Sequence, residues 1–286
     1  MKALPFKIPK SSSDTLIIQE DKELVFYDKL HQHEEFQISI IIAGEGSLIV
    51  GDTITDYKAN DILVFGTQVP HVLKSASSTE ESYMISLFFT KDSFGNGFFE
   101  LPEFTGLSNF FKSSTYGIKI TTKRKKLRDL LLKIRRKSHK LDRFIIFMKI
   151  LKLLQQAEME TISSFIAKRG YNDSEGRRMA DIFQLVMNDF NRDITLQEVS
   201  GLANMTPNAF CRYFKQRTNK TFFQFLIEVR IENACRLISK NADIPISEAS
   251  FNSGFKNLSN FNRKFKEIKG VTPSSYKKRL HDPHFV

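Results

Sequence analysis

The chain has 286 residues, 41% of them hydrophobic and 26% charged. That balance excludes a disordered or membrane-embedded chain, and the length exceeds the usual size of one domain, so two domains are expected. The formal net charge is +11, which favours a polyanionic partner or an acidic membrane surface.

The charge is unevenly placed. Residues 1–118 carry 9 Lys and Arg against 16 Asp and Glu, a net −7; residues 119–152 carry 14 against 2, a net +12; residues 187–286 carry 16 against 9, a net +7. An acidic front half joined to a basic back half points to a polyanion as the partner of the back half, and charge alone also permits a membrane surface. The start, MKALPFKIPKSSSD, has no apolar core, and the longest apolar stretch, Phe144–Leu154, is interrupted by Lys149 and Lys152. Neither a signal peptide nor a membrane span is expected. Cys211 and Cys235 have no Cys-rich or His-rich neighbourhood, so free thiols in a cytoplasmic, reducing compartment are the reading.

In chain order, Leu16 to about Phe89 holds short apolar or alternating runs: LIIQ, ELVFY, FQISIII, SLIVG, DILVFG and YMISLFF. These predict an antiparallel β-sandwich or barrel, with turns at Gly44-Glu45-Gly46 and Gly51-Asp52. Residues 92–118, rich in Gly, Phe, Ser and Asn, read as a loop-like bridge. Leu127, Leu130, Leu131 and Ile134 then recur at helical spacing, and a second helix is expected from about Leu141 to Ala167, apolar around much of its circumference. Such a pair suits a homodimerisation hairpin, or else packs on the barrel. The polar stretch over 168–178 reads as a linker.

The last hundred residues contain a degenerate repeat. A shift of fifty lays Asp193-Ile194 on Asp243-Ile244, Leu196 on Ile246, Glu198 on Glu248 and Ser200 on Ser250; a shift of fifty-one lays Phe210 on Phe261, Arg212 on Arg263, Phe214 on Phe265, Lys215 on Lys266 and Thr221 on Thr272. The second copy has one extra residue in its turn. Each copy reads as a helix-turn-helix. Thr195 with Glu198 predicts a capping box, Asn204 a left-handed turn, and Thr206-Pro207 the N-cap and first position of the next helix. On that helix Asn208, Cys211, Arg212 and Lys215 share the outward face; on its counterpart, capped by Asn257, Ser259, Asn262, Arg263 and Lys266 do. Such side chains suit the major groove of double-stranded DNA, where Arg pairs with guanine and Asn with adenine.

These residues resemble the DNA-binding domain of the AraC/XylS family over about Met179 to Leu280. The strongest match is ISEASFNSGFKNLSNFNRKFKEIKGVTPSSYKKR, with RIENACRLI, Arg230 to Ile238, similar to the family's linking helix. The resemblance implies seven helices, two recognition helices in successive major-groove segments, and RNA polymerase as a partner. Asn219 stands where the family has glycine, and Ser200 and Ser250 where it has alanine.

Further forward, His31, His33 and Gln37, followed by Gly44 and His71, resemble the two cupin motifs. The resemblance implies a metal held by three histidines and a glutamate. Gln37 replaces the acidic ligand, which leaves hard divalent ions without their anionic oxygen. The expectation is therefore no metal and no cofactor, with His31, His33, Gln37 and His71 structural or bonded to a small-molecule effector. Phe26, Phe36, Phe65 and Phe88 are pocket or core.

The sequence thus predicts an α+β chain: a cupin-like β-barrel over 1–118, an amphipathic helical dimerisation segment over 119–167, a linker over 168–178, and an all-α double helix-turn-helix domain over 179–286. The function expected is effector-controlled transcription regulation, without enzymatic activity. The alternatives are a metal-dependent cupin enzyme with a DNA-binding tail, and non-specific nucleic-acid packing.

Overall fold

The computed structural model describes residues 15–76, 79–164 and 173–281, and the chain divides into two units, 1–177 and 178–286. In the first, the strands are β1 (Ile17–Glu23), β2 (Phe36–Ala43), β3 (Gly46–Val50), β4 (Thr53–Tyr57), β5 (Ile62–Phe65), β6 (His71–Ser75), β7 (Ser82–Phe89), β8 (Ile118–Ile120) and β9 (Met159–Thr161). They form a six-stranded sheet, ordered β1-β7-β2-β5-β8-β9, and a three-stranded sheet, β4-β3-β6.

The two-residue period of the strands sorts their side chains into layers. Ile38 and Ile40 of β2 join Ile62, Val64, Ile85 and Leu87 in one core with Leu127 and Leu131 of α2 (Arg124–Arg135) and Phe147 and Ile150 of α3 (Lys140–Gln155). From the opposite face Ile41, Leu63, Phe65 and Met84 pack against Leu48, Val50 and Leu73 of the small sheet. The order is helices, large sheet, small sheet. The sheets are not hydrogen-bonded into a closed cylinder, so the unit is a barrel only in the loose sense that its two sheets enclose a common interior.

Three local expectations differ from the structure. ELVFY is not a strand: the chain bends after Glu23, and Leu24, Val25 and Tyr27 are exposed. The bridge over 92–118 contains two short 3-10 turns and α1 (Ser108–Ser114), because its phenylalanines have a place to bury: Phe94, Phe99 and Phe111 pack on the helix and sheet core. The second helix ends at Gln155, after which β9 pairs with β8; residues 165–167 lie outside the described residues. Residues 119–167 therefore hold most of β8 and the edge strand β9 of the large sheet as well as two helices. Of the expected linker, 168–172 lie outside the described residues, and from Asp173 the chain is already helical.

The second unit contains seven helices among the described residues, as the resemblance implied: α4 (Asp173–Asp189), α5 (Leu196–Leu202), α6 (Pro207–Thr218), α7 (Phe222–Lys240), α8 (Ile246–Asn252), α9 (Leu258–Lys269) and α10 (Pro273–His281). The repeat is visible in these bounds. The start and end of α8 follow those of α5 by fifty, and those of α9 follow α6 by fifty-one, the added residue lying in the turn. A long α7 joins the copies, opened by a full capping box between Thr221 and Gln224.

Candidate functional site

The helix-turn-helix units are built from local signals and then locked by aromatic packing. Thr195 accepts from the backbone N–H of Glu198 at 3.1 Å. The Glu198 carboxylate does not return to the cap; it accepts from Arg192 at 2.5 and 3.0 Å, so only half of the expected capping box forms. Asn204 takes the left-handed conformation at φ 53°, and Thr206 caps α6 with Pro207 in its first turn. Asn257 caps α9 through Asn260 N–H at 3.1 Å.

Beneath the recognition helices, Phe210 and Phe214 are fully buried in the first copy and Phe261 and Phe265 in the second. Tyr213 is half-buried, with the Arg178 guanidinium over its ring at 5.5 Å. On the opposite faces Asn208, Cys211, Arg212 and Lys215 are all exposed, as are Ser259, Asn262, Arg263 and Lys266. The structure places each set on one exposed stripe of one helix. Arg263 donates to Asn260 at 2.9 Å and lies 3.7 Å from Glu267, so its guanidinium is oriented before any partner arrives.

Neither copy stands alone. Arg230, on α7, donates to the carbonyls of Phe190 at 2.7 Å and Arg192 at 2.8 Å. Lys256, in the turn before α9, pairs with Asp193, just before α5. Asn233 of α7 donates to Ser253 at 3.0 Å in the second turn. Sequence reasoning missed these ties because they join residues 20–63 positions apart with no shared periodicity.

The second candidate site lies between the two sheets of the first unit. His31 and His33 are on the loop before β2, and this loop is pinned to the small sheet: His31 and His71 exchange backbone hydrogen bonds at 3.1 and 2.9 Å, and Gln68 N–H donates to the His33 carbonyl. His31, His33 and His71 converge, each offering one ring nitrogen within 4.8 Å of the others. Phe65 stacks on His71 at 4.0 Å. Of the other phenylalanines considered, Phe26 and Phe88 line a cavity beside this cluster, while Phe36 faces a separate cleft on the helix side.

Proton placement follows from the contacts. The Nδ1 atoms of His31, His33 and His71 each face a backbone carbonyl, of Lys29, Glu35 and Val69, at 2.9, 2.9 and 2.8 Å. A neutral ring has a single N–H: His31 can give its proton to the Lys29 carbonyl, whereas His33 and His71 each face a second acceptor at Nε2, the Gln37 oxygen, and serve one of the two. Burial keeps the rings neutral: it pushes His31 down to about 4, lowers His33 against the opposing pull of Gln37, and holds His71 well below its ordinary range.

The Gln37 amide lies between the Nε2 atoms of His33 and His71, at 3.0 and 3.1 Å, and also contacts Ser39 at 2.8 Å. The atom between the rings is the amide oxygen Oε1, which faces both Nε2 atoms, while the amide NH₂ donates to the Ser39 hydroxyl. Ser39 in turn contacts Ser86 at 2.7 Å. The amide then fills the place between the histidines where a cation would stand. Two imidazole nitrogens in a tetrahedral centre stand roughly 3.3 Å apart, so a metal would require Gln37 to withdraw and the rings to close in. The neutral donor set does not fit the hard divalent ions that carboxylate-bearing sites hold.

Two family models match the chain: an AraC-like ligand binding domain over residues 15–88 and a helix-turn-helix domain over residues 199–279. The chain is a member of the AraC/XylS family. Among curated relatives, this AraC/XylS chain is similar to the uncharacterized HTH-type transcriptional regulator YdeC of Bacillus subtilis, 30% identical over 111 residues, 38% of either protein. It is also similar to the XylDLEGF operon transcriptional activator 2 of Pseudomonas putida, 27% identical over 127 residues, 43% of this chain and 79% of that one. A solved structure of ToxT from Vibrio cholerae is 15% identical, covering 94% of this chain and 99% of ToxT with a TM-score of 0.38. The chain thus spans under two fifths of the length of YdeC. No helix among the described residues is long and apolar enough to cross a membrane.

Proposed function

We propose that the chain is a sequence-specific transcription regulator: the double helix-turn-helix unit binds double-stranded DNA, and the N-terminal sheets bind a small-molecule effector that governs it. The observation that carries this reading is the pair of matched outward stripes, Asn208/Cys211/Arg212/Lys215 and Ser259/Asn262/Arg263/Lys266, each exposed on a phenylalanine-docked helix. Because the stripes differ in sequence, the operator is asymmetric, with two unlike half-sites about one helical turn apart. Selection of bound DNA from a random pool, with footprinting, tests this. Protection of a single groove segment, or no sequence preference, would sink it.

The chain acts in the cytoplasm, as activator or repressor, with RNA polymerase as its target. Homodimerisation through 119–167 is supported by Leu141 and Ile145, 61% and 45% exposed one turn apart on α3. Two linked DNA-binding units gain avidity on repeated sites. Sedimentation at tens of micromolar is the check, and a monomer there counts against it. The reading includes neither a resident metal nor an enzymatic activity, on the strength of the neutral Gln37 amide seated between His33 and His71.

A further inference from the structure

The cavity beside the histidine cluster has a volume of about 310 Å³, at the small end of the range for ligand sites. Its unusual wall is β1. Gln19 and Asp21, half-buried, and Glu23, exposed, alternate along that strand and all line the cavity, so the cavity face of β1 is polar and acidic where a core strand would be apolar. Beside them on the neighbouring strand β7 stand Met84, paired with Asp21, and Phe88, and Phe26 also lines the cavity. Among the described residues that line it there is no Lys or Arg.

The remaining polar groups do not neutralise the acids. Burial holds His31 and His71 neutral, and the Nδ1 of each faces a backbone carbonyl. Gln19 donates to Asp21 at 2.6 Å, a hydrogen bond without compensating charge. Burial and the neighbouring Glu23 both push the Asp21 carboxyl upward. The cavity is therefore rich in acceptors, carries negative charge, and has an apolar side on which a ring or short chain can lie. An anionic effector would meet repulsion, and a neutral one would leave the half-buried Asp21 carboxyl without a charged partner.

We propose that the effector is a small organic cation, an amine, amidine or guanidine with an apolar body, held by Asp21 and Glu23 and packed against Phe26 and Phe88. This rests on the reading of the N-terminal unit as the effector domain. Charge-assisted hydrogen bonds to the two carboxylates supply orientation, and the aromatic faces add cation–π attraction.

The test uses the full chain in calorimetric titrations and thermal unfolding with 2-phenylethylamine, benzamidine and agmatine, against 2-phenylethanol and phenylacetate as neutral and anionic counterparts. At least one cation should bind about tenfold or more tighter than the neutral and anionic probes, the difference expected for a hydrogen-bonded charge pair. At ten times its Kd it should raise the melting temperature by about 3 °C. Asp21→Asn and Glu23→Gln, close to isosteric, should each weaken that binding about tenfold, while Glu80→Gln on the surface should not. Equal or tighter binding of phenylacetate or 2-phenylethanol, no binding by any of the three cations, or cation binding indifferent to both variants overturns the proposal. DNA selection without additive separates the failures: sequence-specific binding with no cation preference refutes only the effector class, whereas loss of specific DNA binding refutes the regulator reading itself.

Discussion

Gly254 faces the carbonyl of Phe190 so closely that a Cβ on it would stand 2.7 Å from that oxygen. Its backbone also has φ +85°, a conformation that L side chains rarely adopt. The turn of the second helix-turn-helix copy thus rests on the segment leading into the first. Gly254→Ala should destabilise the second unit by about 2 kcal/mol or more, combining backbone strain with displacement of Phe190. Chemical denaturation followed by far-UV dichroism would show it; an unchanged midpoint would mean the turn is free to shift.

Reading and holding should separate within α9. Arg263 lies one turn into the helix beside Ser259 and Asn262, whereas Lys266 lies nearly a turn further on. Arg263→Ala should cost roughly 1–3 kcal/mol on the preferred site and relax one base position, while Lys266→Ala should weaken all sequences alike and lower the salt slope by about one. Phe265, fully buried, is the folding control: Phe265→Ala should cost about 3–5 kcal/mol of stability. Uniform weakening by Arg263→Ala would make that residue a phosphate anchor.

Ser250 Oγ is buried with no hydrogen-bond partner among the described residues, whereas its counterpart Ser200 donates to the Gln197 carbonyl at 3.1 Å. Removing an unsatisfied hydroxyl relieves a desolvation cost of about 1–3 kcal/mol. Ser250→Ala should therefore raise the melting temperature and Ser200→Ala should not. Destabilisation by Ser250→Ala would indicate a bound water.

Elemental analysis of the purified chain should find no stoichiometric metal. Gln37→Glu replaces the neutral amide between His33 and His71 with a carboxylate, completing a three-histidine, one-carboxylate donor set. That variant should take up a divalent ion, seen as a thermal shift with Zn²⁺ or Mn²⁺ that the parent lacks. About one ion per parent chain would reverse the assignment.

The buried histidines also set a pH response. A ring held down to about 4 in the folded state against its ordinary 6.5, as in His31, binds fewer protons folded than unfolded between those values. Stability then rises with pH: the contribution is complete above about 6.5 and is lost progressively as pH falls toward 4. Denaturant midpoints of the first unit measured across that window should fall toward acid. A flat profile would mean the rings protonate without unfolding.

The parts most legible in the sequence were those set by local chemistry. Caps, turns and the two stripes of the helix-turn-helix copies follow from side chains within four residues of one another, and Asn219 occupies its left-handed cap at φ 56° just as Gly270 does at φ 74° in the other copy. The first unit was harder because its strands are defined by partners far along the chain. Only the start of β1, within the LIIQ run, carries the apolar pattern, since its cavity face continues into Asp21 and Glu23, while the greasy ELVFY reads as a further strand that the structure does not form. Alternation in a strand reports burial against apolar neighbours, so a strand that lines a polar cavity loses that signature. The short β8 and β9 carry too few residues for any period to show.

Those two short strands bear on how the molecule can be recombined. β8 and β9 are paired with each other, Ile118 opposite Thr161 and Ile120 opposite Met159, and β8 is also zipped to β5, the strand whose Phe65 lies across from Gln37. The α2–α3 hairpin is therefore a loop stapled shut onto the sheet that floors the effector cavity. A chimera that exchanges helices between relatives by cutting at residue 118 would leave β5 with a raw edge and orphan the graft. Joints placed before Gly117 and after Ser163 would carry both strands along, transplanting the hairpin with its own hydrogen-bonded seam.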